Sequence, residues 1–376
     1  MVTKPEEIAW RRLAGQFLTV PGPAKPADVV RRLGAVQAQD YAGAKWALAQ
    51  RTKEAATDAA VERALDAGTI VRTHVLRPTW HFVAACDLRW MLALTGPRIS
   101  RALASYNRVL EITPAVIRRS HAAITKALEG GRHLTRAEVA AVLSRAKVGA
   151  LTGHRFGRLV VQAELDAIVC SGARRGKHST YALLDERVTA ARGIERDAAL
   201  AELARRYFPT RGPASAHDFA WWSGLTIADA RRAVAILGRE LEPIDVGGRP
   251  FWMSAGASAP PRKPCAHLLP NYDEYFIGLV DRSAIGRRLG SVERVTGGNA
   301  LINHIATVNG QIVGEWKRTA AGPRVTLRFN LLTRLSRAER ALLDREIGRY
   351  RAFAGEPVEV TRWRAIFCSI TPITFL

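Results

Sequence analysis

Cysteine is scarce and scattered in this chain. Its 376 residues hold four, Cys86, Cys170, Cys265 and Cys368, far apart and without a CxxC pair. Neither a disulfide framework nor a thiolate zinc site is expected, and each thiol, set in an apolar stretch, reads as a reduced core residue. None of the nine histidines forms HxxxH, so the site-residue expectation includes no metal ligand. The sequence also lacks a Walker A motif, GxGxxG and GxSxG, which disfavours ATP-driven and dinucleotide chemistry and leaves no nucleotide cofactor to expect. No apolar run approaches the roughly 20 residues that span a bilayer. The opening MVTKPEEIAWRRLAGQ lacks the uninterrupted apolar core of a signal peptide. A soluble, cytoplasmic protein without membrane contact is the expectation.

Acidic residues are also short: 34 Asp and Glu face 56 Lys and Arg, a formal net charge of +22 and a pI near 10.8. GC-rich codon usage accounts for 47 Arg against 9 Lys, but not for the excess of bases over acids. The balance points to nucleic acid or another polyanion. Hydrophobic residues at 48% and a mean hydropathy of −0.06 exclude disorder as the general state. The length suggests two to four domains.

The first 260 residues read as one unit three times over: short paired helices, a further helix, then a two-stranded ribbon. In the first, helices near Ile8–Leu18 and Ala27–Val36 precede a helix at Thr57–Ala67, and TIVRTHVLRPTWHFVA alternates as a hairpin or wing. A linker helix, Pro114–Leu128, leads to the second. There Thr135 and Glu138 form a capping box, GRLVVQAELDAIVCSG reads as a helix closed by Gly172, and RRGKHSTYALLDERV reads as a basic turn with an outgoing strand. The third has a helix at Ala198–Phe208, a helix-turn-helix with Ser215 and Thr226 as N-caps, and a hairpin turning on Gly247-Gly248. Helix-turn-helix followed by a ribbon is the winged-helix arrangement. After the linker SAGASAPPRKP, strands dominate, with Asn309-Gly310 as a type I′ turn and one helix at Arg337–Arg351. The expected fold is α+β: winged-helix units over 1–110, 111–192 and 193–258, and a small β-barrel over 265–376.

Chemistry concentrates in LGAVQAQDYAGAKWAL. Gln37 and Gln39, one small residue apart, are followed by Lys45 and Trp46. An amide is no general base near neutral pH. It can hold and orient a water and supply polar stabilisation at a sugar carbon. Asp40 reads as a helix cap, with a catalytic carboxylate as its alternative. Lys45 suits a phosphate contact better than a Schiff base.

Four segments in order, VQAQDYAGAKWAL, LRPTWHFVAACDLRWM, KHSTYALLDERV and LLPNYDEYFIGLVDRS, resemble the AlkZ family of winged-helix DNA glycosylases over essentially the whole chain. Gln37-Ala38-Gln39 matches the family's Gln-apolar-Gln branch. The resemblance implies a monomeric, monofunctional base-excision repair enzyme acting on double-stranded DNA with alkylated guanine. Its substrates would be cationic N7-alkylguanines, including bulky adducts and interstrand crosslinks, in a self-resistance role. Gln37 and Gln39 would be catalytic.

Candidate DNA contacts are Lys45, Arg77 and His81 in the first unit, and the second turn, Arg174, Arg175, Lys177 and His178. That turn closes a stretch, Arg145–His178, with seven Lys or Arg against two acids. Arg318 and Arg324 flank TAAGP at a hairpin tip in the last domain. Trp46, Trp80, Trp221 and Trp222 are candidates for stacking on bases, with core packing as the commoner fate. A non-catalytic winged-helix regulator, or a DNA-bridging protein, would share the charge but leave the glutamine pair unexplained.

Overall fold

Gly34, at φ +83°, ends the second helix of the chain and turns the following residues into a strand. The computed structural model describes residues 4–189, 193–290, 304–321 and 324–362. After helices Pro5–Gly15 and Pro26–Leu33 comes a two-residue strand, β1 (Val36–Gln37). The helix expected to run on through Val36 therefore stops at Leu33. Helices Tyr41–Ala49 and Asp58–Asp66 follow, then the hairpin β2 (Ile70–His74) and β3 (Trp80–Ala84). The sheet order is β1-β3-β2. Val36, Ile70 and Phe82 pack into one core and Val71, Val75 and Val83 into another, so this sheet is buried on both faces.

The second unit begins with helix Pro114–Leu128 and β4 (Leu134–Thr135). Thr135 and Glu138 make the expected capping box at the head of helix Arg136–Arg145. Helix Gly153–Leu165 then ends seven residues before Gly172, contrary to expectation. Ala167 adopts φ +56°, and the β-branched stretch after it pairs as β5 (Val169–Ser171) with β6 (Thr180–Leu183). In the third unit, helix Arg196–Arg211 is followed by Ala216–Ser223 and Ile227–Leu237, whose N-termini carry capping boxes at Ser215 and Thr226. Its ribbon is β7 (Leu241–Val246) and β8 (Arg249–Ser254).

The last domain departs from the barrel expectation. Strands β9 (Ala266–Leu269), β10 (His304–Val308), β11 (Gln311–Ala321), β12 (Arg324–Leu331) and β13 (Val358–Arg362) form an open sheet ordered β13-β12-β11-β10-β9 among the described residues. Closure is unnecessary because both faces are already covered. Leu268, Val308 and Leu327 pack under helix Arg337–Ala354, while Leu269, Ile305 and Ile312 meet Ala9 and Leu13 of the first helix. Trp46 joins this core to the first unit, donating from Nε1 to the Leu268 carbonyl at 2.7 Å and touching Tyr350 and Phe353. Replacing so buried a Trp by Ala costs about 3–5 kcal/mol.

Among the described residues no helix is long and apolar enough to cross a membrane, and no group of three His, Cys, Asp or Glu could hold a metal ion. Cys170 is buried and Cys265 partly so, but Cys86 is exposed, because it falls on the outer side of helix Ala85–Ala102. Cys368 lies outside the described residues.

Candidate active site

The backbone from Leu33 to Ala38 is tied at nearly every polar group. Arg211, fully buried, donates to the carbonyls of Leu33 at 2.8 Å and Ala35 at 3.2 Å. Glu274 Oε1 accepts from the Gln37 amide N–H at 2.8 Å. Ala38 N–H donates to the Trp80 carbonyl at 2.7 Å, and the Ala38 carbonyl accepts from Arg72 Nε and Nη2 at 3.1 and 3.0 Å. This stretch packs against the third unit and the Asn271–Ile277 turn, so its geometry is set by tertiary contacts.

Two buried ion pairs anchor that turn. Glu274 Oε2 takes the Arg211 guanidinium at 2.6 Å and Trp222 Nε1 at 2.9 Å. Asp273 receives a bidentate pair from Arg51 at 2.9 and 2.7 Å. Charges this buried persist only when paired and hydrogen-bonded; removing one partner costs about 3–5 kcal/mol.

Gln37 is buried in β1 and Gln39 is exposed at its end. Arg77 Nη2 donates to Gln37 Oε1 at 2.7 Å, which fixes the orientation of the amide. Burial pulls the Arg77 guanidinium down to about 10. Gln39 Oε1 accepts a longer bond, 3.4 Å, from Trp80 N–H. Neither glutamine caps a helix. Asp40 does: it is N-cap of helix Tyr41–Ala49, with Oδ1 accepting from Gly43 N–H at 3.1 Å.

His81 sits opposite Gln37 in the β1–β3 register and opposite Thr73 in β2–β3, so the three form one polar rung. Its Nδ1 donates to the Thr79 carbonyl at 2.9 Å, which leaves Nε2 as a buried acceptor without a partner among the described residues. Burial, helped by the Arg77 charge, holds its pKa well below the ordinary imidazole value. His81 is fully buried, so the DNA-contact expectation for it is corrected to a place inside the fold, behind Gln37.

Lys45 is corrected in the same way. Its ammonium is buried between Asp58 and Glu62 at 2.7 and 2.8 Å, where no phosphate reaches it. Burial pushes Glu62 up, but bonds from Lys45 and Tyr41 outweigh this and its pKa is lowered. Arg77 likewise points at Gln37. Arg174 is half-buried, its guanidinium 5.0 Å from the Tyr41 ring and bonded to Glu62 and the Lys177 carbonyl. In the second-unit turn, closed by a bridge between Arg175 and His178, the side chains of Arg175, Lys177 and His178 are exposed. Arg175 contacts Glu138 at 2.8 Å. Arg318 donates to Tyr350 Oη at 3.0 Å, and Arg324 stands exposed at the paired end of β11 and β12, 3.5 Å from Glu359. Trp46 and Trp222 are core residues, Trp80 is half-buried, and Trp221 is exposed.

Sequence reading missed Arg72, Arg211 and Glu274, the groups that shape the motif. One signal was available. NYDEYFIGLV places two carboxylates in an apolar run, a context that demands buried partners.

With this geometry in place, the chain can be set beside known proteins. The family model described as DNA glycosylase AlkZ-like matches residues 30–353. The chain belongs to the AlkZ-like DNA glycosylase family. It is similar to the interstrand DNA cross-link repair glycosylase of Streptomyces sahachiroi, 26% identical over 327 residues that cover 82% of this chain and 86% of that protein. The solved structure of Streptomyces sahachiroi DNA glycosylase AlkZ matches with a TM-score of 0.78 at 22% identity, covering 96% of this chain and 100% of the other. An AlkZ-like DNA glycosylase acts on DNA as an enzyme, and the mixed α+β fold agrees with that neighbour.

Proposed function

We propose that this glycosylase hydrolyses the N-glycosidic bond of cationic N7-alkylguanine in double-stranded DNA and leaves an abasic site. Gln37 and Gln39 are the catalytic pair. The range extends to bulky adducts and to interstrand crosslinks built on such bases, in line with the name of the cross-link repair relative. Each helix–helix–ribbon unit is read as a winged helix, and the exposed turn Arg175–His178 together with Arg324 supplies phosphate contacts.

The observation that carries the reading is the state of the carboxylates beside the motif. Asp40 caps a helix, and Glu274 is committed to Arg211, Trp222 and the Gln37 N–H. The motif itself offers the substrate two amides, the exposed Gln39 and the Arg77-bound Gln37. Amides position a water and stabilise charge, but they neither protonate a leaving base nor deprotonate water strongly. Such a site suits a leaving group that already carries positive charge. Lys45, locked between two carboxylates, is not available to form a Schiff base, which favours a monofunctional path. Rigid support of the motif backbone supplies the positioning that this mild chemistry requires.

The test uses duplexes carrying one N7-methylguanine, one uracil or one 1,N6-ethenoadenine, each followed by heating in alkali. Strand cleavage at N7-methylguanine with little or none at the neutral bases is expected. Comparable release of the neutral bases would overturn the reading, and no cleavage at all would favour a non-catalytic DNA-binding protein.

A further inference from the structure

Between the first and second units lies a cleft of about 790 Å³, floored by Arg72 and Trp80 and walled by Arg136, Lys177, His178 and Tyr181. No acidic side chain lines it. The larger cleft, about 1000 Å³ beside helix Arg196–Arg211, is different: Asp28 and Glu202 line it, and its Arg205 and Arg206 are neutralised by Glu240 and Asp87. In the first cleft the Lys177 ammonium and the His178 ring have no hydrogen-bond partner among the described residues.

Trp80 is held in place by two neighbouring side chains. The Arg72 guanidinium lies 4.3 Å from its ring centroid and the His74 ring 4.1 Å away. His74 is in turn fixed through Nδ1 by the fully buried Glu164. Trp80 is half-buried and lines the cleft. A smaller cavity, about 60 Å³, also borders Trp80 and Tyr181 and reaches Tyr41. Beside this aromatic side chain stand the unpaired Lys177 ammonium and the Arg136 guanidinium, which bonds the Gly153 carbonyl at 3.4 Å and lies over the Phe156 ring. The combination suits a nucleotide, because every base offers a π-face and every phosphate a charge.

We propose that this cleft binds one unstacked nucleotide of the DNA, its base against Trp80 and its phosphate between Arg136 and Lys177. The position couples it to the motif. Arg72, which packs against the indole, is the group that holds the Ala38 carbonyl between the two glutamines. A base seated on Trp80 therefore bears on the guanidinium that orders the catalytic backbone. The inference rests on the proposed function in taking DNA as the substrate and in placing the lesion at the glutamine motif.

The experiment is photo-crosslinking of the full chain to duplexes with one N7-methylguanine and 5-iododeoxyuridine placed in turn at each position around and opposite it. Crosslinked residues are mapped by mass spectrometry. A methyl lesion has no bulky appendage, so a crosslink to Trp80 reports a nucleotide and not an adduct. Crosslinking at Trp80 from a position beside or opposite the lesion is expected, with a several-fold lower yield after Arg136→Ala with Lys177→Ala. Crosslinks that form only at other residues overturn the assignment. Affinity gives a second readout: Trp80→Phe should bind lesion duplex like the parent and Trp80→Ala about tenfold more weakly. Equal affinity of the parent and Trp80→Ala would also overturn it. Neither readout needs turnover, so Gln37→Ala with Gln39→Ala should leave the crosslink map unchanged even where excision is lost.

Discussion

The cations of this protein fall into two regions that a net charge of +22 does not distinguish. Around β1, Arg72, Arg77, Arg211 and Lys45 face inward and spend their charge on carbonyls, carboxylates and the Gln37 amide. On the second-unit turn, Arg175, Lys177 and His178 face outward. The inward set builds the site; the outward set is exposed to a polyanion, with the Lys177 ammonium unpaired among the described residues and Arg175 shared with Glu138. A basic composition therefore overstates the DNA-facing surface, because part of it is structural.

The comparison breaks most visibly at Glu274. Glu274→Ala leaves Arg211 buried without its carboxylate and frees the Gln37 N–H, and should cost about 3–5 kcal/mol in chemical denaturation. A loss below about 1 kcal/mol would mean that the inward region is not built on this pair. Next in size is Arg77→Met, which releases the Gln37 carbonyl and lets the amide turn. Excision should drop about tenfold or more while duplex affinity stays close to the parent value. A fall in affinity with unchanged turnover would move Arg77 into the outward set.

The outward set is read by salt. Removing Lys177 should reduce the log–log slope of affinity against salt by about 0.9, equally for damaged and intact duplex. Arg175→Ala should give less, since Glu138 already offsets its charge. Lys45→Ala should leave the slope unchanged, and a change of the Lys177 size there would contradict its inward placement.

The smallest effect near neutrality concerns a buried imidazole. Burial lowers the His267 pKa to about 4, below its unfolded value of about 6.5. The unfolded chain then binds the extra proton first. His267 contributes stability in full above about pH 6.5, and this is lost as pH falls toward about 4. His267→Phe should flatten the stability–pH curve over that window. An unaltered slope would show that other groups set it.

Local devices were legible in the sequence. The capping box at Thr135 and Glu138, the N-caps at Ser215 and Thr226, helix Pro114–Leu128 and the Gly247-Gly248 and Asn309-Gly310 turns depend on neighbours a few residues apart, and each appears where its residues place it. The motif itself was visible, as was the capping role of Asp40. What holds the motif was not, because Glu274 lies 237 residues from Gln37 in sequence. No periodicity reports which arginine turns inward when its partner comes from another domain. The C-terminal sheet, open among the described residues, escaped for the same reason: the first helix and Trp46, both distant in sequence, cover faces that strand spacing alone suggested a barrel would close.

The central claim is that two amides on a rigidly held backbone perform the chemistry. Single-turnover excision of N7-methylguanine by Gln37→Ala, Gln39→Ala and the double variant, with duplex affinity measured alongside, tests it most directly. Each single change should slow excision by about 10²-fold or more, with affinity nearly unchanged. Parent-like excision by the double variant would contradict the account.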